Sequence, residues 1–170
     1  ISDPIYPEVN REYGKITEAE WLDLMAVVVA ESKRVLKPTG SAVFILQPNF
    51  DKIGKMRLWL WKFMLQAAEE WNLVQDCYWW AIDTLPSTAA NRKHGLMRQS
   101  VKTCVWLGSP DCYRNQEAVL WEESEKHSTR KWSDRALQNR PSGYTVREGR
   151  TAQTSAMRGG TVPFNILPIP

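Results

Sequence analysis

The chain has 170 residues, with 22 Lys+Arg against 19 Asp+Glu, a formal net charge of +3 and 43% hydrophobic residues. That length and composition suit one buried core with an appended or irregular portion. No apolar stretch approaches the length needed to span a bilayer and no charged start precedes an apolar run, so neither a membrane span nor a secretory signal is expected and a cytoplasmic location is the default.

The first stretch, "ISDPIYPEVN", places a carboxylate, a residue of fixed φ and an aromatic ring side by side at Asp3, Pro4 and Tyr6, with Ile5 between them. The combination suits a simple turn, and it also suits a site that accepts a hydrogen bond from a flat ring and stacks on it. From Thr17 the pattern turns helical. Thr17 and Glu20 have the spacing of a capping box, and Trp21, Leu24, Met25, Val28, Val29, Val35 and Leu36 recur at three- and four-residue steps. Pro38 and Gly40 stop this helix near Lys37. "SAVFIL" follows as a strand expected to be buried on both faces.

A second helix is expected from about Ile53 to Trp71, with Ile53, Met56, Leu60, Phe63, Met64, Ala67 and Trp71 in one stripe. "LVQDCYWWAI" and "VKTCVWLG" read as further strands, and the connection between them, "DTLPSTAANRKHGLMRQS", is too long for a tight hairpin. Helices alternating with apolar strands give an α/β class: a partial Rossmann-like sheet, mostly parallel, with an antiparallel edge pair and helices on its faces. Of the many tryptophans, most sit in regular elements and are expected to pack in the core.

After Trp121 the periodicity fades. Residues 126–158 carry eight Lys and Arg against Asp134 and Glu148, a net +6, so the rest of the chain sums to −3. Such a segment serves an anionic partner or is a solvated polar arm. Cys77, Cys104 and Cys112 are an odd number without metal-ligand spacing, and His94 and His127 stand far from them, so reduced thiols and no metal site are expected. The chain begins at Ile1 and ends in the apolar "TVPFNILPIP", which suggests an internal fragment of a longer chain.

Asp3-Pro4-Ile5-Tyr6, at an expected strand end and ahead of "RVLKPTGSAVFIL", resembles the exocyclic-amino DNA methyltransferases. Their catalytic motif reads Asp/Ser/Asn-Pro-Pro-Tyr/Phe/Trp, and "RVLKPTGSAVFIL" is similar to the helix end and strand that follow it. The closing "GGTVPFNILPIP" looks like the segment before the cofactor half in permuted members, where the catalytic half comes first. The resemblance implies transfer of a methyl group from S-adenosyl-L-methionine to adenine N6 or cytosine N4 in double-stranded DNA. Asp3 and the Pro4 carbonyl would hold the amino group, Tyr6 would stack on the extruded base, and Asp3 would also touch the cofactor. Ile5 stands where the family usually has a second proline.

On the same resemblance, residues 1–125 form the catalytic half, 126–158 a DNA-recognition or flexible segment, and 159–170 the start of a connection to a missing cofactor-binding half of the same polypeptide. No Gly-x-Gly motif for the cofactor occurs in the chain. DNA contact is expected from Asn91, Arg92 and Lys93 and from Arg130, Lys131, Arg135, Arg140, Arg147 and Arg150. The alternatives are a methyltransferase acting on RNA or on a protein amide, and a non-catalytic DNA-binding remnant.

Overall fold

The computed structural model describes residues 1–12, 14–51, 54–82, 94–97, 99–121, 138–139, 145–146, 159–160 and 162–169. The chain divides into two compact units, one of Ile1–Tyr113 with Asn165–Pro170, the other of Arg114–Phe164.

The first unit is built on helix α1 (Glu18–Val35), strand β1 (Ser41–Leu46), helix α2 (Trp59–Glu70), and strands β2 (Leu73–Ala81) and β3 (Val101–Gly108). The capping box at the head of α1 is formed in full. Thr17 Oγ1 accepts the Glu20 N–H, and the Glu20 carboxylate accepts the Thr17 N–H. The Thr17 hydroxyl, which donates to the Glu20 carboxylate at 2.7 Å, and after it the Thr17 N–H hold the Glu20 carboxyl below its ordinary range.

Helix α2 begins six residues later than its apolar stripe suggests. Gly54 adopts a φ of 81°, and the Asp51 carboxylate accepts the Lys55 N–H at 2.8 Å, so Asp51 and Lys55 close a turn instead of opening a helix. A second closure, Arg57 N–H to the Asn49 carbonyl at 2.9 Å, brings the chain back before the helix starts.

One core joins α1, α2, β1 and β3. Trp21, Met25 and Val29 of α1 and Trp59, Leu60, Phe63 and Ala67 of α2 meet Phe44, Leu46, Val105 and Leu107 of the sheet. These four strand residues share one face, since alternate side chains point the same way. Both helices therefore cover the same face of the sheet. The opposite face of β1, at Val43 and Ile45, is only half-buried among the described residues. The same one-sided cover leaves Leu24, Val35 and Leu36 of the α1 pattern exposed. The tryptophans divide likewise: Trp21, Trp59 and Trp71 are buried, whereas Trp61 and Trp80 are exposed.

The sheet order is β1-β3-β2-β6, where β6 is Ile166–Ile169. β3 pairs antiparallel with both β1 and β2, and β2 pairs parallel with β6, so β1, β2 and β6 run one way and β3 the other. The antiparallel β2–β3 pair is thus present, but β3 lies inside the sheet, because β1 takes its other edge. β6, an outer strand among the described residues, carries Pro168 opposite Trp80, a position at which an outer strand tolerates a residue without an N–H.

In the second unit, Asn115 caps a single 3-10 turn at Gln116–Val119 by accepting the Ala118 N–H. Strands β4 (Gln138–Asn139) and β5 (Thr145–Val146) pair antiparallel. Trp121 meets Phe164 edge-on at 5.4 Å, and Gly160 lies so close to the Trp121 carbonyl that a Cβ there would come within 2.6 Å of it. No helix among the described residues is long and apolar enough to cross a membrane.

Candidate active site

Ser2 extends the sheet beyond β1. It bridges Phe44 in parallel, donating to the Val43 carbonyl at 2.9 Å and accepting from the Ile45 N–H at 2.8 Å. Pro4 has no N–H with which to continue the pairing, so the chain leaves the sheet at Asp3. Ser2 runs in the same direction as β1, and its partner is two residues from the end of that strand. Asp3 therefore emerges at the carboxyl ends of the parallel-running strands, where open α/β sheets place their ligands.

Asp3 follows Ser2 and so points to the face away from the helices. There it meets Lys102, whose Nζ lies 4.0 Å from Asp3 Oδ2 and 4.7 Å from the centre of the Trp79 ring. Lys102 and Trp79 are direct partners across β2 and β3. The Asp3 side chain is 52% exposed, so its carboxylate is open to a ligand. Among the described residues no group donates to the Pro4 carbonyl, which is a second open acceptor one residue away.

The Tyr6 hydroxyl donates to Asp3 Oδ1 at 3.2 Å and accepts the Gln47 backbone N–H. Burial, with the Asp3 charge second, pushes the phenol well above its ordinary range, so Tyr6 stays protonated. Its ring meets Trp59 edge-on at 5.9 Å. The loop is held from the core side by two indoles. Trp21 Nε1–H donates to the Ile5 carbonyl at 2.6 Å; Trp59 Nε1–H donates to Asn49 Oδ1 at 3.1 Å, and Asn49 Nδ2–H donates to the Pro7 carbonyl at 3.0 Å.

Beyond Pro7 the loop turns at Glu8, which has a φ of 62°, a left-handed conformation rare for a side chain of this kind. Its carboxylate receives Lys15 Nζ at 2.6 Å and the Glu18 N–H at the start of α1 at 3.2 Å. The hydrogen bond from Lys15 is the first cause that holds the Glu8 carboxyl below its ordinary range. The loop carrying Asp3 and Tyr6 is thereby tied to the head of the same helix that supplies Trp21.

Of the residues singled out in the sequence, Asp3, Pro4, Ile5 and Tyr6 stand together at this strand end. Asn91, Arg92, Lys93, Arg130, Lys131, Arg135, Arg140, Arg147 and Arg150 lie outside the described residues. Trp21, Asn49, Trp59 and Lys102 complete the site's surroundings. Trp21 lies on the α1 stripe and Lys102 in an expected strand, whereas Asn49 has no periodic signal, and no local pattern tells which polar atom each would reach. Cys77 and Cys104 are opposed in register on β2 and β3 as free thiols, and burial raises both above the ordinary thiol range. Among the described residues no group of His, Cys, Asp and Glu could hold a metal ion.

Asp3, the Pro4 carbonyl and the Tyr6 ring thus stand together at the carboxyl end of the parallel-running strands of a mixed α/β sheet. The chain belongs to the DNA methylase family, whose model matches residues 1–157. It is 24% identical to the Type II methyltransferase M.PvuII of Proteus hauseri over 184 aligned positions, covering 99% of this chain and 52% of that protein. Its fold resembles the solved PvuII DNA methyltransferase (cytosine-N4-specific), with a TM-score of 0.59 and 17% identity over 98% of this chain and 47% of that one. A putative DNA modification methylase of Thermus thermophilus, solved in complex with S-adenosyl-L-methionine, aligns at a TM-score of 0.46 and 15% identity, over 74% of this chain and 47% of that one. The chain spans about half the length of the curated relative it matches.

Proposed function

We propose that this chain supplies the base-binding half of an S-adenosyl-L-methionine-dependent DNA methyltransferase that modifies an exocyclic amino group, cytosine N4 or adenine N6. The observation that carries the reading is the half-exposed Asp3 carboxylate, its Oδ2 beyond hydrogen-bond reach of Lys102 at 4.0 Å, together with the Pro4 carbonyl, set at a strand end beside a held aromatic ring.

An amino group on a heteroaromatic ring is a poor nucleophile, because its lone pair is delocalised into the ring. Two acceptors placed for its two hydrogens draw the nitrogen toward a pyramidal shape and return the lone pair to it. Asp3 Oδ2 serves one hydrogen and receives the proton that the amino group must lose. The Pro4 carbonyl serves the other. Oδ1 is already engaged by Tyr6, so the carboxylate presents one defined oxygen to the base. Tyr6 stacks on a base that has left the duplex, since the amino group is out of reach inside it.

S-adenosyl-L-methionine, when bound, supplies the electrophilic methyl group. In this chain the Asp3 carboxylate fits the positive charge of its sulfonium. The division into a catalytic part at residues 1–125, a DNA-contacting part at 126–158 and a connection at 159–170 to a cofactor-binding half of the same polypeptide belongs to the same proposal. So do the contacts of Asn91, Arg92, Lys93 and the basic residues with DNA, and a cytoplasmic site of action.

The test is transfer of labelled methyl from S-adenosyl-L-methionine to duplex DNA by this chain joined to its cofactor-binding half, with Asp3→Ala in the same protein as control and the modified nucleoside identified in the product. Incorporation by the native chain that Asp3→Ala loses supports the reading, and equal incorporation by both sinks it. DNA binding without transfer would favour the non-catalytic reading, in which Ile5 marks a disabled site. A labelled RNA or protein product would replace DNA as the substrate.

A further inference from the structure

Ile5 is the one residue of the candidate loop between Pro4 and Pro7, other than Tyr6, with a freely rotating φ. Its N–H has no acceptor among the described residues. Its carbonyl, by contrast, takes the Trp21 indole N–H at 2.6 Å. That indole is itself fixed. It is fully buried, it meets Trp59 edge-on at 4.8 Å and Phe63 at 5.4 Å, and its backbone lies in the first turn of a helix with a complete capping box.

The Ile5 carbonyl and the Tyr6 N–H belong to one planar peptide unit, so holding the oxygen sets the plane from which Tyr6 departs. On the far side of Tyr6, Asn49 holds the Pro7 carbonyl in the same manner. Tyr6 is thus clamped between two tethered carbonyls, which sets its ring against Trp59 and its hydroxyl against Asp3.

We infer that Trp21 is a positioning residue for the Asp3–Tyr6 loop: its indole N–H, by orienting the Ile5–Tyr6 peptide unit, limits the loop's freedom where a proline at position 5 would limit it by fixing φ. The tether stands on geometry alone; its consequence for catalysis rests on the function proposed above.

The experiment crosses two substitutions, Trp21→Phe, which keeps an aromatic ring in the core and removes the donor, and Ile5→Pro. In 15N–1H spectra of the intact chain, the Trp21 indole proton exchanges slowly with solvent. Trp21→Phe broadens or splits the Asp3 and Tyr6 amide signals, and adding Ile5→Pro restores single sharp ones. In methyl transfer, Trp21→Phe lowers the rate about tenfold, because a small misplacement of reacting groups is costly. In the Ile5→Pro background the same change lowers it by less than about threefold, the two restraints being redundant.

Equal losses in both backgrounds would show that Trp21 matters only for core packing and would overturn the inference. So would Asp3 and Tyr6 signals that ignore Trp21→Phe. If Trp21→Phe does not fold, the native indole decides: free exchange overturns the tether, as does an indole proton without the downfield shift of a hydrogen bond, and slow exchange together with that shift supports it. If the native chain joined to its cofactor-binding half transfers no methyl group, the proposed function fails while the spectra still test the tether.

Discussion

The Tyr6 hydroxyl donates to Asp3 Oδ1 across three residues of one loop, so the carboxylate assigned to the amino group already has one oxygen occupied. Tyr6→Phe keeps the ring and frees that oxygen. The carboxylate can then rotate, and methyl transfer falls about three- to tenfold, from the loss of one hydrogen bond to a charged group. Tyr6→Ala removes the stacking surface too and costs a further tenfold or so, since stacking of a base on an aromatic ring is worth about 1–3 kcal/mol. Steady-state rates of the two variants check the order; an equal loss in both would show that the ring contributes nothing.

Lys102 reaches Asp3 from β3 while lying over Trp79. The pair is partly exposed, so Lys102→Met changes thermal stability by less than about 1 kcal/mol. Methyl transfer falls several-fold in the same variant, because the cation that fixes Oδ2 is gone, and Lys102→Arg retains most of it. Melting curves and rates on the three proteins separate the effects. A stability loss matching the activity loss would make Lys102 a structural residue only.

Glu8 joins the loop to α1 through Lys15 and the Glu18 N–H. Glu8→Gln costs about 1 kcal/mol of stability at neutral pH, the usual size for a carboxylate at a helix N-terminus. The folded Glu8 carboxyl is held below its ordinary range, so its contribution is present above that range and is lost as pH falls through the lowered value. The native chain and Glu8→Gln therefore converge in stability at acid pH, as denaturation at a series of pH values checks. A difference that widens on acidification would contradict the assignment.

The basic segment gives a test by salt. If Arg130, Lys131 and Arg135 each neutralise a phosphate, replacing all three with alanine lowers the slope of log affinity against log salt by about 2.7, at about 0.9 per contact. Titrations of duplex DNA at several salt concentrations measure it, and an unchanged slope would place these residues away from the backbone.

Helix α1 was legible in the sequence because its signals are local: the Thr17–Glu20 box, the apolar steps, and the stop before Pro38. The head of α2 was not, because the Met56 and Ile53 stripe competes with the Asp51 side chain and the positive φ of Gly54. The strands were legible as strands from their β-branched and aromatic runs, yet their order was hidden, since no local pattern tells that β3 pairs with β1 as well as β2. Asp3 and Pro4, the proposed acceptors, are singled out by a four-residue motif. What steadies them is not, because Trp21, Asn49 and Lys102 arrive from 16 to 99 positions away along the chain.

The interior place of β3 also sets the order in which the molecule can assemble. β1 lies 57 to 67 positions before its partner residues on β3, so its ladder waits for the last third of the first unit's chain. Ser2 hangs on β1 in turn. As a growing polypeptide emerges from the ribosome, α1 can coil early, but the outermost strand has no firm template until residue 108 is available. The Asp3–Tyr6 loop is thus made before the strands that secure it, and its order reports that the sheet behind it has closed.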